Sequence, residues 1–360
     1  MHAKTPEPYR FGNKSKERFL IKPPTIQEWA ALYDAAVRFK KLQCWNWLTE
    51  EHVFGVQHPD TGEIGYCCVL GRLGEVFALN VYRGTEGLKG MLRMASGELR
   101  PDEMMVAQSC LMASFEDRDQ LEKEDTSIIK QLGLKFRGAK AWPMFRTYDP
   151  GFVPWFLTGR EQVVFLTAAL EQASLLAGQH AKNPDALLPT PDGEYVVRVP
   201  ETSGGVSTWT TRRLKPQEKA RKASPVRTES TAVDELRLGR LHKAVQKLPT
   251  HWEVDLFHAP IPVGEGERPY YPLMLLIVDG HSGQILHAGM FEPWGERPDI
   301  GYELLELAER VQAAPRQVWA LGEEVLATLE PVLRGLKIRG VVTDELPALE
   351  EARLGILMGF

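Results

Sequence analysis

An apolar hairpin followed by alternating helices and strands restricts the fold of this chain more than any other feature. The run LMLLIVD at residues 273–279 is apolar enough for a buried strand, and DGHSG at residues 279–283 favours a tight turn back along residues 284–291. Segments with helical spacing then alternate with the short strands RQVWAL and KIRGVVT, and the helical segment LPALEEARL comes last. This order predicts an α/β domain with a mixed sheet and right-handed crossovers.

The N-terminal half has a different pattern. Residues 25–42 predict an amphipathic helix that begins with a capping box of Thr25 and Glu28. Apolar stretches at residues 53–57, 64–71 and 75–82 are separated by the turn-rich PDTGE and GRLGE, so they predict an antiparallel meander. Further helices are predicted through TEGLKGMLRMAS, PDEMMVAQSCLMASF and GREQVVFLTAALEQASLLAGQ. We therefore predict an α+β N-terminal domain with an antiparallel meander.

Length and composition divide the chain into three parts. At 360 residues the chain exceeds the size at which one core usually keeps growing, so two domains are expected. Prolines and a change of composition indicate a boundary near residue 182. Residues 1–182 form the first predicted domain, residues 183–232 a strand hairpin and a basic linker, and residues 233–360 the second domain.

Charge, hydropathy and cysteine content argue against several classes of protein. The formal net charge of -5 disfavours a protein dominated by a nucleic-acid-binding field. No window approaches the ~18 consecutive apolar residues of a membrane helix, and MHAKTPEPYRFGNKSKERFL lacks the apolar core of a signal peptide. The four cysteines form no C-x-x-C pair. We expect a cytoplasmic protein with no membrane contact, reduced buried thiols and no cofactor.

The order of elements over residues 270–355 is similar to the ribonuclease-H-like fold of ribonucleases H, resolvases and transposases. The resemblance implies carboxylates from several elements that hold two divalent ions, Mg²⁺ or Mn²⁺, for phosphoryl transfer. Asp279 stands near the place of the first acid. The second acid should end RQVWAL, but Glu323 is the nearest one there, and Glu350 or Glu351 on the last helix would supply the third.

The missing second aspartate argues against catalysis in this domain. One carboxylate cannot hold two hydrated magnesium ions, each of which needs several oxygen ligands. We therefore expect Asp279 to have a structural role in its hairpin turn. The alternative is a metal-dependent nuclease or phosphoryl-transfer enzyme that uses Asp279, Glu323 and Glu351. For a single metal ion the candidates are Asp279, His281 and His287, although their spacing follows no closed ligand motif.

A second binding hypothesis comes from an aromatic segment and a basic one. LKFRGAKAWPMFRTYDPGFVPWFL interleaves aromatic and cationic residues, as single-stranded nucleic-acid sites do, but the same aromatics would also serve as core anchors. Residues 212–227 hold seven basic residues against one acid, which suits either phosphate contacts or a solvated linker. The candidates for nucleic-acid contact are Arg137, Trp142, Arg146, Trp155, Arg212, Arg213, Arg221 and Lys222.

Most of the chain also resembles a group of uncharacterised bacterial proteins that join two domains of unknown function. The stretches that carry this resemblance are EWAALYDAAVRFKKLQCWNWL, TGEIGYCCVLGRLGEVFALNVYRGTEGL, LKFRGAKAWPMFRTYDPGFVPWFL and RPYYPLMLLIVD. It implies no activity. Our hypothesis is a non-catalytic, cytoplasmic binding or scaffold protein with a degenerate ribonuclease-H-like domain, with a protein or a nucleic acid as its partner.

Overall fold

Two β-sheets organise the chain, for which the computed structural model describes residues 22–99, 101–203, 206–217, 235–264, 268–293 and 298–358. The first sheet has the strand order β5-β4-β3-β2-β1-β6-β7. Neighbouring strands are antiparallel except β1 and β6, which are parallel. The strands are β1 (Phe54–Gln57), β2 (Ile64–Leu70), β3 (Ala78–Arg83), β4 (Cys110–Glu116), β5 (Trp142–Tyr148), β6 (Tyr195–Ser203) and β7 (Val206–Leu214).

Helices cover both faces of this first sheet. They are α1 (Ile26–Leu42), α2 (Gly84–Ser96), α4 (Lys123–Gln131) and α5 (Arg160–Gln179), while the short helix α3 (Pro101–Val106) contacts the second sheet. Helices α1 and α5 share one core with inward residues of the strands, and α2 packs on the opposite face. The predicted capping box is present, since Glu28 N–H donates to Thr25 Oγ1 at 3.2 Å and Thr25 N–H donates to Glu28 at 2.8 Å.

Two parts of the first domain differ from the prediction. The segment predicted as a helix through PDEMMVAQSCLMASF is helical only over α3, and its apolar second half is strand β4, which pairs with β3 and β5. The hairpin β6–β7 belongs to the first sheet, which therefore extends to Leu214, beyond the boundary near residue 182. Strand β6 reaches β1 at Gly55, where a Cβ atom would lie only 2.8 Å from a Val197 methyl group.

The second sheet has the order β10-β9-β8-β11-β12. Strands β8, β9 and β10 are antiparallel neighbours, β11 runs parallel to β8, and β12 runs parallel to β11. The predicted mixed sheet is therefore present. Its strands are β8 (Gln246–His258), β9 (Leu273–Asp279), β10 (Ile285–Phe291), β11 (Ala313–Ala320) and β12 (Arg339–Val342).

Helices again lie on both sides of the second sheet. Helices α6 (Glu235–Ala244), α7 (Ile300–Val311) and α8 (Glu323–Leu336) share a core with one face of the sheet. Helix α9 (Pro347–Met358) packs on the other face, through Leu349 and neighbouring apolar side chains. Among the described helices, none combines the length and the apolar character that crossing a membrane requires.

The segment that follows β5, residues 149–157, contacts the second domain. Asp149 accepts hydrogen bonds from Arg83 in the first domain and from Arg268 in the second. Tyr271 N–H donates to Gly151 O at 2.8 Å. Burial alone would raise the pKa of Asp149, but the two guanidinium groups hold it below its usual value. The carboxylate is therefore charged at neutral pH and ties the domains together.

Candidate functional site

Asp279, the first catalytic candidate, is engaged by its own turn. Its Oδ1 atom accepts hydrogen bonds from His281 N–H at 3.0 Å, Ser282 N–H at 2.9 Å and the Ser282 hydroxyl at 3.1 Å. Burial alone would raise the pKa of Asp279, but these donors hold it below its usual value. The side chain therefore stabilises the hairpin turn between β9 and β10.

The three proposed nuclease carboxylates do not converge. Asp279 is paired with Trp252 across β8 and β9, so both side chains point to the face that carries α7 and α8. Glu351 is exposed on α9, which covers the opposite face, and Glu323 is exposed at the first residue of α8. Within the described ranges, no group of three or more His, Cys, Asp or Glu side chains could hold a metal ion.

The other two residues proposed for a metal ion have separate surroundings. His281 is exposed, and its backbone N–H donates to Asp279. His287 Nε2 lies 3.4 Å from a carboxylate oxygen of Glu303 on α7. Burial lowers the pKa of His287, against the opposing effect of Glu303. His287 therefore makes its contact with α7, away from His281.

The buried acids of the second sheet lie on β8. Glu253 and Asp255 are 1% and 3% exposed, and both point to the face covered by α9. The nuclease candidates drawn from the sequence, Asp279, Glu323 and Glu351, include neither of these acids. The signal was present, because two acids at alternate positions of an apolar strand must lie on one face, where burial requires partners.

Glu253 holds the first turn of α9 in place. Its Oε2 atom accepts a hydrogen bond from Leu349 N–H at 2.8 Å, which satisfies one of the backbone donors that a helix leaves open at its start. Its Oε1 atom lies 3.4 Å from His251 Nε2. The His251 ring stacks on Trp319 with centroids 3.8 Å apart, and a Cβ atom at Gly280 would lie 2.0 Å from His251 Nε2. The arrangement is tightly packed.

Asp255 contacts the next turn of the same helix. Its carboxylate lies 3.7 Å from an Arg353 guanidinium nitrogen, and that guanidinium lies over the Phe257 ring at 3.9 Å from the centroid. Arg353 follows Leu349 by one helical turn, so the two β8 acids contact successive turns of α9. Both carboxylates therefore serve the packing of this helix on the sheet.

Arg146, a candidate for phosphate contact, is buried in an ion pair. It donates to the two carboxylate oxygens of Asp125 at 2.8 and 2.7 Å, and the Phe156 ring lies 4.5 Å from its guanidinium carbon. Burial alone would lower the pKa of Arg146, but the bonds to Asp125 raise it above its ordinary value. The charge is therefore neutralised inside the first domain.

The other candidates for nucleic-acid contact are scattered. Trp142 packs against Phe136, and Arg137 is exposed. Arg212 donates to Glu201 at 2.6 Å, and Arg213 donates to Ala186 O at 3.0 Å. Arg221 and Lys222 lie outside the described residues. Trp155 lines a cavity of the first domain.

That cavity, called here the aromatic pocket, has a volume of about 630 Å³. It lies between α1, α4 and the segment after β5. Its rim carries the exposed residues Lys123, Glu124, Ser127 and Thr158. Its walls are mostly apolar and include Trp29, Tyr33, Phe145, Trp155, Phe156 and Leu157. The pocket therefore suits an apolar or aromatic group better than a phosphate.

A second cavity, called here the α9 groove, has a volume of about 190 Å³ and is almost wholly apolar. Met290 on β10 is 66% exposed there, because α9 does not cover this strand. Arg353 is the charged residue of its lining. The groove is lined by Phe257, Ile261, Met274, Met290, Arg353 and Ile356, among others.

Two known families match the chain. Residues 29–198 match a domain of unknown function (DUF7309), and residues 237–357 match a second domain of unknown function (DUF6930). The two matches fit a two-domain family of unknown function. No curated protein matches the chain. The first match ends within β6 and the second begins within α6, so each match contains most of one sheet.

Proposed function

We propose that the protein is a non-catalytic, cytoplasmic binding protein whose second domain is a degenerate ribonuclease-H-like framework. The observation that carries this proposal is the use of the sheet's acids: Glu253 and Asp255 contact α9, and Asp279 accepts hydrogen bonds from its own turn. Carboxylates engaged in this way are not available as ligands of two metal ions.

The order of elements supports the framework. The hairpin of β9 and β10, then β11 and β12 with their helices, are the elements between residues 270 and 355 on which the resemblance rests. Strand β8 precedes them in sequence, lies between β9 and β11 in the sheet, and its acids face α9. Burial raises the pKa of Cys44, Cys68 and Cys110 to about 12, so these thiols are not nucleophiles at neutral pH.

The α9 groove is the surface that this framework offers to a partner. Met274 and Met290 supply flexible side chains that adapt to different apolar groups. The partner that fits is a protein that presents a short apolar segment, because Arg353 is already paired with Asp255 and the rest of the groove named above is apolar. Polar phosphates would find little to contact there.

Metal ions should neither activate nor stabilise the full chain. We expect no cleavage of single-stranded DNA, RNA or RNA–DNA hybrids with Mg²⁺ or Mn²⁺, and no shift in unfolding temperature. A metal ion that bound a native site, at a free concentration about a hundredfold above its Kd, would add about 2.7 kcal/mol to the free energy of unfolding, which is easily detected. Metal-dependent cleavage that is lost in Asp255→Asn or Asp279→Ala, but kept in the exposed control Glu324→Gln, would refute the proposal.

Peptides selected against the full chain from a random displayed library should be rich in apolar residues and bind the α9 groove. Met290→Glu places a charge in the groove and should weaken the binding of these peptides at least about tenfold, which corresponds to ~1.4 kcal/mol of binding free energy. Leu354→Glu is the matched control, because Leu354 is 54% exposed on α9 and is not part of the groove lining. Equal weakening by both variants, or preferential binding of oligonucleotides with a steep salt dependence, would contradict this assignment.

A further inference from the structure

The aromatic pocket lies beside the point where the described chain begins. Lys22 O accepts a hydrogen bond from Arg160 N–H at 2.8 Å. Arg160 follows Thr158 by two residues, and Thr158 lines the pocket. On the other side Trp29, in the first turn of α1, forms part of the wall. The described chain therefore begins at Lys22, close to the rim of this cavity.

The sequence before Lys22 has the composition that the pocket requires. Phe19, Leu20 and Ile21 are three consecutive apolar residues directly before it. Three residues of chain reach at most about 10 Å, so the link between this apolar stretch and Lys22 is short. Tethering also raises the local concentration of such a short segment to about the millimolar range, so that weak contacts suffice to hold it.

The charges of the residues before Lys22 are complementary to those around the aromatic pocket. Residues 9–21, YRFGNKSKERFLI, carry four basic residues and one acid. Around the pocket, Glu124 is exposed on the rim and the Glu122 side chain is 61% exposed near Arg146, while Arg146 itself is neutralised by Asp125. Lys123 is the opposing cation of the rim. The acidic side of the pocket therefore complements a basic segment.

We propose that residues 9–21, called here the N-terminal segment, bind across the aromatic pocket. Apolar side chains among Phe19, Leu20 and Ile21 fill the cavity, and the basic residues lie towards Glu122 and Glu124. The segment then competes with any outside ligand of the same chemistry, a basic peptide with an aromatic or aliphatic side chain. This proposal does not depend on the α9 groove, which lies on the second domain.

Hydrogen–deuterium exchange of the full chain tests the proposal. Amides of residues 9–21 should exchange at least about tenfold more slowly in the protein than in a synthetic peptide of the same sequence. Ser127→Trp fills the pocket from its rim without removing a core side chain, so it should bring exchange of the segment to the free-peptide rate. Thr126→Trp is the matched control, since Thr126 is exposed on the same helix and is not part of the pocket lining.

Three outcomes would overturn the proposal. One is exchange of the N-terminal segment at the free-peptide rate in the unmodified chain. The second is protection that persists in Ser127→Trp, because the segment would then bind elsewhere. The third is protection that rises with protein concentration, which would assign the pocket to the segment of a second copy. Equal exchange of α4 amides in both tryptophan variants verifies that the helix has remained folded.

Discussion

Replacing Asp125 by Asn should lower the free energy of unfolding of the first domain by about 3–5 kcal/mol, which is what removal of one partner of a buried ion pair typically costs. Asp125 and Arg146 are 5% and 6% exposed and share two hydrogen bonds. The variant leaves the buried guanidinium with the largely exposed Glu122 carboxylate, 3.6 Å away, as a weaker counter-charge. Urea unfolding, followed by the tryptophan fluorescence of the first domain, measures the loss.

Two further variants separate the charge effect from general disruption. The double variant Asp125→Leu with Arg146→Met replaces the pair by apolar side chains, and we expect it to regain most of the lost stability. Glu330→Gln breaks an ion pair with Arg334 on the surface, where the Arg334 side chain is 79% exposed and that of Glu330 is 55% exposed. This variant should cost at most about 0.5 kcal/mol. If Asp125→Asn costs no more than Glu330→Gln, then water reaches Arg146 and the pair is not a structural anchor.

This ion pair shows why part of the candidate site escaped sequence analysis. The pattern of aromatic and basic residues around Arg146 is the same whether the cation faces a phosphate or a buried carboxylate. Asp125 lies 21 residues earlier, in a segment whose many charges suggested a solvated helix. Contacts between residues that are distant in sequence leave no local signal. Charge composition alone therefore cannot distinguish a phosphate-binding cation from one that is paired with a buried carboxylate.

Local patterns were reliable where local physics decides the structure. The capping box of α1, the meander of β1, β2 and β3 and the hairpin at Asp279 all depend on neighbouring residues. The apolar run of β4 was ambiguous because its length fits a buried helix or a buried strand, and pairing with β3 and β5 decides the matter. The parallel pairing of β6 with β1 joins residues about 140 positions apart and has no sequence signature.

The two buried acids of β8 are absent from the catalytic candidates for the same reason. Asp279 is a candidate from the sequence because it ends a strongly apolar run. Glu253 and Asp255 lie inside β8, and their burial can be recognised only when α9 is known to cover them. The sheet order makes β8 central, with β9 on one side and β11 on the other. Centrality, and therefore burial, is a property of the whole domain.

Glu253→Ala should destabilise the second domain by about 2–4 kcal/mol, because the change leaves a buried N–H of α9 without an acceptor and opens a cavity under the helix. Hydrogen–deuterium exchange should show faster exchange of α9 first, and urea unfolding should measure the total loss. Glu253→Gln keeps an oxygen acceptor for Leu349 N–H and should cost about half as much or less. Glu351→Ala, at an exposed site on the same helix, should change stability by no more than about 0.5 kcal/mol.

The sign of the Glu253 result decides between the structural and the catalytic interpretation. Acids that are held together for catalysis repel one another and store strain, so their replacement often stabilises the folded protein. Acids that are used for structure stabilise it, because their partners remain buried and unpaired when they are removed. If Glu253→Ala or Asp255→Asn raises the unfolding temperature, the β8 acids are a strained functional cluster and the proposal of a non-catalytic framework fails. A loss of stability in both variants, with α9 exchanging first, would instead show that this framework uses its carboxylates to hold its last helix.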